Sequence, residues 1–268
     1  MGGPISNPVQ KRRGTDLGVD VALGLVSGVG DEDKFGRNTD LGDADTIGDV
    51  WDELGIYEFI TELTGGSQAS GVQLTVSSTS AEDELGETGA TEVTIFGLDA
   101  NYDSQSEVVV LEGQGAVTTS GTYTRIHRMV NTSTLAVVGI IRAGSGDVVD
   151  GVPANVYCRI SVGEDQSQMA IWTVANGCKF IHTSTSASLL QATGATVRAN
   201  MRLRVRPTGE VFQTKDNVGL STTGTSSLHT EHQQKNVYAA KTDIKIDAVA
   251  SANNADVSAS FGGFEVAI

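Results

Sequence analysis

Few residues in this 268-residue chain are of the kinds that cross-link a protein or anchor it in a membrane. It has two cysteines, four prolines and 5% aromatic residues. Cys158 and Cys178 are too few for a disulfide framework, and both lie in apolar, strand-like runs, so we expect buried, reduced thiols. No run approaches 18 consecutive apolar residues, and no apolar run follows the basic residues near the start. The sequence therefore predicts neither a transmembrane helix nor a secretory signal.

Positive charge is also scarce, with 18 Lys and Arg against 33 Asp and Glu. Residues 1–120 carry a net charge of −17, whereas residues 121–268 carry +2. An acidic chain lacks the broad basic surface that phosphate binding needs, so we expect no nucleic-acid partner. The uneven distribution favours head-to-tail contact between copies.

Glycine is abundant, at 32 residues, and turn-rich segments separate short apolar runs. This pattern is typical of an antiparallel sandwich. We predict an all-β protein, an antiparallel β-sandwich (jelly-roll-like) at 67–268 with an extended N-terminal arm at 1–66. The predicted strands are 72–78, 91–98, 107–111, 122–130, 134–142, 154–162, 168–174, 178–185, 196–206, 210–215, 242–249 and 256–266.

The arm has one apolar run, Val21–Val29, which is too short and glycine-rich to form a core alone. We expect residues 1–45 to be loosely held in the free protein and ordered on assembly. Apolar residues between Thr46 and Leu63 have helical spacing, although two glycines weaken it, so the arm has a possible short helix.

The most unusual stretch is Thr196–Arg206, which alternates apolar and basic residues. Successive side chains of a strand point to opposite faces, so one face is apolar and the other carries guanidinium groups. Like charges on one face repel, so an acidic surface should lie over them unless the face is simply solvated. We expect carboxylates from residues 31–62 of the same or an adjacent subunit. The arginines concerned are Arg198, Arg202, Arg204 and Arg206.

Motifs for catalysis or metal binding are weak. His229 and His232 lie three apart in a Ser/Thr-rich segment that we interpret as a solvated loop, so they are only weak metal-ligand candidates. The acidic run Glu82–Glu84 is expected to be solvated. The chain has no phosphate-binding Gly-Lys-Ser/Thr loop and no G-x-S-x-G elbow. We therefore expect no enzyme activity and no cofactor.

Several phrases resemble a family of tailed-bacteriophage virion structural proteins. The resemblance covers the arm and about half of the sandwich, and Trp51-Asp52-Glu53 departs from the family's Trp-Asp-Gly-Gly. The matching phrases are Asp20–Val29, Lys34–Asn38, Val50–Asp52, Gly97–Asn101, Tyr123–Arg128, Val211–Lys215, Lys241–Ile246 and Asp256–Phe261.

The resemblance implies a non-enzymatic protein of the virion, assembled in the host cytoplasm. We expect a capsid decoration or cement protein, and the alternative is a tail, neck or fibre component, possibly one that binds a receptor or carbohydrate. The expected partners are copies of itself, with a trimer favoured, and the major capsid protein or tail and neck proteins, but no membrane. The candidate interface residues are Val21, Leu23, Leu25, Val26, Lys34, Phe35, Arg37, Trp51, Arg198, Arg202, Arg204 and Arg206.

Overall fold

The computed structural model describes residues 29–41, 48–50, 59–60, 71–190, 196–251 and 255–268. Sixteen β-strands and no helix occur in these described ranges, and every pairing between strands is antiparallel. The predicted fold class, an all-β antiparallel sandwich, is confirmed. The buried side chains, however, separate into two large cores.

The first sandwich encloses the core between Leu74 and Ile160. One sheet has the order β6-β3-β8-β9 and the other β5-β4-β7. All seven strands come from one continuous segment of the chain. They are β3 (Val72–Ser78), β4 (Glu92–Leu98), β5 (Ser104–Val110), β6 (Val117–Tyr123), β7 (Arg125–Asn131), β8 (Ile141–Val149) and β9 (Val152–Ile160).

The second sandwich combines the two ends of the described chain around the other core. Its front sheet has the order β10-β15-β12-β13, with β2 also paired to β15, and its back sheet has the order β1-β16-β11-β14. Its strands are β1 (Val29–Leu41), β2 (Gly48–Asp49), β10 (Ile171–Thr173), β11 (Cys178–Leu190), β12 (Val197–Arg206), β13 (Gln213–Thr222), β14 (Thr225–Tyr238), β15 (Asp243–Ala250) and β16 (Ala255–Ala267).

The N-terminal strand β1 belongs to the back sheet of this second sandwich rather than standing apart from it. It pairs with β16 from Val29 opposite Val266 to Leu41 opposite Ala255. Residues 1–28 of the predicted arm lie outside the described residues. So do the boundary at 66/67 and most of the possible helix, of which Gly48 and Asp49 form strand β2. The division into arm and sandwich remains a prediction.

Two strand predictions are wrong for identifiable reasons. The predicted strand at 134–142 begins only at Ile141, because the N–H groups of Val138 and Gly139 bind the carboxylate of Asp83 instead of a neighbouring strand. The predicted loop around His229 is the middle of β14. That strand pairs with another Ser/Thr-rich strand, β11, so neither has strong hydrophobic alternation.

Candidate interface around the arginine strand

Strand β12 has the two faces that its alternation predicts. Val197, Ala199, Met201, Leu203 and Val205 are buried in the second core. The basic residues between them lie on the opposite, outer face of the front sheet and are exposed or half-buried. Burying five apolar side chains on one face fixes the register, so the guanidinium groups cannot turn inward.

The carboxylates paired with these arginines come from the adjacent strand β15. Arg202 Nε lies 2.7 Å from Asp247 Oδ1, and Arg204 Nη1 lies 3.1 Å from Asp247 Oδ2. Arg206 Nη2 lies 2.8 Å from Asp243 Oδ2. The described partners of these arginines thus lie on β15. The expectation that residues 31–62 of the same or an adjacent subunit supply acids stays a prediction, because those acidic side chains lie outside the described part of the chain. Asp243 and Asp247 alternate with Ile244 and Ile246, a pattern that could have identified them from the sequence.

The arginine face nevertheless carries more guanidinium than carboxylate. Arg202 and Arg204 share the single carboxylate of Asp247, and Arg202 Nη2 and Arg204 Nε are buried without a hydrogen-bond partner in the described part of the chain. Lys245 lies opposite Arg204 in the register, which adds a third positive charge. Arg198, at the start of the strand, is exposed and forms no ion pair with any described residue.

A buried ion network joins this strand to the first sandwich. Arg125 of β7 is 2% exposed and binds Asp243 through two bonds, Nε to Oδ1 at 2.8 Å and Nη2 to Oδ2 at 3.1 Å. The hydroxyl of Thr173 donates to the same carboxylate at 2.6 Å. Asp243 therefore receives donors from Arg125, Arg206 and Thr173, which satisfies the lone pairs of a buried carboxylate.

Aromatic side chains cover the cations of this junction. The ring of Phe59 lies 5.0 Å from the guanidinium carbon of Arg125 and 4.8 Å from that of Arg206. A cleft of about 440 Å³ opens beside them, between Tyr102, Lys241 and the turn at 207–212. Its walls carry both acidic and basic groups, so the cleft has no single-sign field for a charged ligand.

The N-terminal strand contributes to the junction through Lys34. The Lys34 ammonium lies 3.9 Å from the ring centroid of Trp172, whose Nε1 donates to Glu265 at 3.1 Å. His127 also packs against Trp172, with a distance of 3.7 Å between the two ring centroids. Burial, together with the charges of Lys34 and Arg125, holds the pKa of His127 well below its usual value. The imidazole is therefore neutral and accepts the N–H of Thr173 through Nε2.

The other candidate residues on β1 are more accessible. Phe35 is 48% exposed on the outer face of the back sheet. Arg37 forms an ion pair of 2.7 Å with Asp256 on the neighbouring strand. Val21, Leu23, Leu25, Val26 and Trp51 lie outside the described residues.

The two candidate histidines take part in packing within the second sandwich. His232 Nε2 lies 3.0 Å from Thr185 Oγ1 and 3.4 Å from Asp216 Oδ2, and His229 Nδ1 lies 2.6 Å from Ser186 Oγ. Both contacts of His232 use one nitrogen, so the ring does not relay between an acid and a hydroxyl as in a catalytic triad. Burial and then Asp216 raise the pKa of nearby Tyr238 to about 12. Within the described ranges, no three His, Cys, Asp or Glu side chains are placed to hold a metal ion.

Asp83 is an acidic residue of a type that catalytic sites use, but its contacts give it a structural role. It is fully buried rather than solvated, in contrast to what the acidic run predicts. Its carboxylate accepts the Ser78 hydroxyl at 2.5 Å and the N–H groups of Ala90, Val138 and Gly139 at 2.7–3.0 Å. These donors hold two loops against β3 and compensate the buried charge.

Neither Cys158 nor Cys178 forms a disulfide bond within the described part of the chain. Cys158 is fully buried in the first core, whereas Cys178 is only partly buried beside the second, so the expectation of burial holds for one of them. Burial, followed by the charge of Glu265, raises the pKa of Cys178. Its thiol is therefore less ionised than an ordinary cysteine at neutral pH.

Comparison with protein-family models and with curated proteins finds no match. Structural comparison finds chains from infectious bursal disease virus. The chain of the Gt strain is 11% identical, and the match covers 90% of this chain and 73% of the viral chain, with a TM-score of 0.17. The chain of the VP2 subviral particle is 10% identical, and the match covers 90% of this chain and 81% of the viral chain, with a TM-score of 0.12. The chain of the T=1 particles is also 10% identical, with 90% of this chain and 79% of the viral chain covered and a TM-score of 0.12. Similarity this low supports no argument about fold or function. The described residues include no helix able to cross a membrane.

Proposed function

We propose that this chain is a non-enzymatic virion structural protein of a tailed bacteriophage. Within that class we propose a capsid decoration or cement protein that binds its neighbours through the N-terminal arm and through charged faces of the second sandwich. Its partners would be further copies of itself, in an oligomer for which we favour a trimer, and other virion proteins such as the major capsid protein. The assignment to a phage rests on the sequence phrases that resemble tailed-bacteriophage virion structural proteins.

The observation that carries the proposal is the surplus of positive charge on the outer face of β12. Arg202 and Arg204 share one carboxylate, and the exposed Arg198 has no acidic partner among the described residues. In a chain with a formal charge of −15, an arginine-rich face is complementary to the acidic surface of another copy. One exposed ion pair contributes only about 0–1 kcal/mol, so several arginines repeated over many copies are needed.

The buried junction supports a mechanical role. Asp243 ties β7 of the first sandwich to β12 and β10 of the second, and Lys34 ties the N-terminal strand to Trp172. A rigid connection of this kind transmits load between contacts on either sandwich. The arm residues Val21, Leu23, Leu25, Val26 and Trp51 and the accessible Phe35 and Arg37 complete the proposed interface.

A tail, neck or fibre component that binds a receptor or carbohydrate is the second candidate. It is favoured by the exposed ring of Phe35, which borders a shallow groove of about 230 Å³ floored by serine side chains on the back sheet. Saccharides are bound by an aromatic surface combined with hydroxyl groups. The groove is shallow and offers one ring, so we place this function second.

Copy number per virion tests the proposal. Quantitative mass spectrometry of purified particles should find this chain in hundreds of copies, in a fixed ratio to the major capsid protein. A handful of copies per particle would replace decoration by the tail or neck alternative. Its absence from purified particles would overturn the virion assignment itself.

A further inference from the structure

The back sheet of the second sandwich ends in a strand that no other described strand covers. β14 pairs with β11 on one side, and no described residue pairs with its other side. Alternate N–H and C=O groups of a strand point to opposite edges, so this edge presents unpaired backbone donors and acceptors. The regular part is Thr225–Glu231, seven residues opposite Leu190–Ser184, before the register shifts.

This edge lacks the usual protection against pairing. Residues 225–231 contain no proline, and their one formally charged residue is Glu231 at the end of the segment. By contrast, the opposite edge strand β1 contains Asp31, Glu32, Asp33, Lys34 and Arg37 in succession. Natural proteins place charges on edge strands to prevent association, so β1 carries this protection and the β14 edge largely lacks it.

The side chain at the centre of the β14 edge is apolar and uncovered. Leu228 lies opposite Ala187, which faces the core, so Leu228 points to the same inner face of the sheet. It is nevertheless 44% exposed. Three residues of the regular segment precede Leu228 and three follow it, so a two-fold axis at this residue would use the whole segment.

Pairing two such edges antiparallel about Leu228 produces a consistent set of neighbours. The two Leu228 side chains would lie side by side on the inner face and cover each other. His229 would face Ser227 of the second copy, and Glu231 would face Thr225, so no like charges would be opposed. An interface of this kind is self-complementary, as two-fold symmetry requires.

We propose that β14 is a homotypic assembly edge, at which a second copy of this chain adds its own β14 about a two-fold axis through Leu228. The back sheets of two copies then form one continuous eight-stranded sheet. This rests on the self-association in the proposed function and names its surface, with a two-fold dimer at this edge in place of the trimer favoured there. Seven residues bury a small area, so the dimer should depend on concentration.

The test is light scattering and analytical ultracentrifugation of the full chain across low micromolar to millimolar concentration. The wild type should approach twice the chain mass of 27.9 kDa at high concentration. Leu228→Lys should raise the dissociation constant of the dimer at least tenfold, because two ammonium groups would meet on the axis. Val211→Lys, at an apolar residue 77% exposed outside this edge, is the matched control and should associate like wild type.

Charge complementation identifies the axis itself. Leu228→Lys and Leu228→Glu should each be monomeric alone, with unchanged circular dichroism and melting temperature, and should form a heterodimer when mixed. Leu228→Cys should form a disulfide-linked dimer under mild oxidation, whereas Val149→Cys, at the exposed end of β8, should not. A wild type that stays monomeric at all concentrations, a trimer, or a dimer that Leu228→Lys leaves intact would each overturn the proposal. Copy number in the virion is unaffected by these outcomes and tests the proposed function separately.

Discussion

The two sandwiches use charge in opposite ways. In the first, Asp83 is enclosed and satisfied by four local donors, so its charge fastens loops of the same segment. In the second, Asp243 and Asp247 are buried under four arginines, and the face around them keeps unpaired guanidinium donors. The carboxylate of Asp83 is thus satisfied within the first sandwich, while the front sheet of the second retains a surplus of guanidinium donors that a partner can use. The open β14 edge lies on the same sandwich.

They also differ in how the chain builds them. The first uses one continuous segment, Val72–Ile160, whereas the second brings residues 29–50 together with residues 171–267. Pairing β1 with β16 closes a loop of more than two hundred residues, which is entropically costly and slow. We infer that the second sandwich is the less independent of the two and the more sensitive to changes at the N-terminal strand.

Truncation at the N-terminus should give the largest effect. Deleting residues 1–38 removes most of β1, including Lys34 over Trp172, and should unfold the second sandwich while the first retains protected amides. Deleting residues 1–28 stops before β1 and should leave both sandwiches folded. Hydrogen exchange compares the two truncations, and equal protection of β16 in both would contradict this difference.

Asp243→Asn should have the next largest effect. The substitution leaves the guanidinium groups of Arg125 and Arg206 without their shared carboxylate, and breaking such a buried pair costs about 3–5 kcal/mol. Asp256→Asn, which breaks the accessible pair with Arg37, is the control and should cost about 0–1 kcal/mol. Urea unfolding measures both. Similar losses would mean that burial does not distinguish the two pairs.

Much of this charge arrangement could have been predicted, and the rest could not. The period-two pattern of Thr196–Arg206 correctly predicts β12 and its two faces. The same rule applied to Asp243–Asp247 would have identified a second strand with two carboxylates on one face. It would not have shown that this strand pairs with β12, because strand pairing is set by topology rather than by nearness in sequence. Strand β3 was predicted with its observed bounds, since its pattern is strong and turns flank it.

The errors have a common cause, which is tertiary pairing of polar backbone or side chains. Asp83 is buried because backbone N–H groups from two loops converge on it, and no local pattern encodes that convergence. Strand β14 was missed because an edge strand is solvated on several sides and needs no strict alternation. The two separate cores depend on which strands pair across the chain, and strand spacing alone does not determine that.

Cys158 and Cys178 offer a smaller test of the two cores. Cys158→Ala should lower the free energy of unfolding by about 1–3 kcal/mol, since the thiol is fully buried in the first core. Cys178→Ala should lower it by less, because that thiol is partly exposed. Denaturant unfolding with reductant present gives both values. A larger loss for Cys178→Ala would contradict the burial difference, and a disulfide in particles would refute the assignment of reduced thiols.

Acid should weaken the junction between the two sandwiches through His127, which lies on β7 and packs against Trp172 of β10. The pKa of this buried imidazole is lowered, so the unfolded chain takes up a proton more readily than the folded chain. Its stabilising contribution is therefore present above the unfolded pKa of about 6.5 and is lost as pH falls below that value. Between about pH 7.5 and about pH 5, the wild type should lose more stability than His127→Gln. Equal pH dependence in urea unfolding would contradict this role.

Charge reversal at Arg198, on the arginine face, should have the smallest effect on stability and the largest on assembly. Arg202 and Arg204 are unsuitable for the test, because reversing them would place two carboxylates against the buried Asp247 and destabilise the fold. Arg198 is exposed and pairs with no acid among the described residues, so Arg198→Glu should not change the melting temperature.

The most direct measurement is competitive incorporation into particles. Wild-type chain and Arg198→Glu are supplied together at equal concentration, and mass spectrometry determines their ratio in purified virions, with Lys179→Glu as an equally exposed control on the back sheet. We predict that Arg198→Glu is depleted several-fold, that the depletion weakens as salt screens the contact, and that Lys179→Glu incorporates like wild type. Equal incorporation of Arg198→Glu at low and high salt would contradict the claim that the arginine face is an assembly surface.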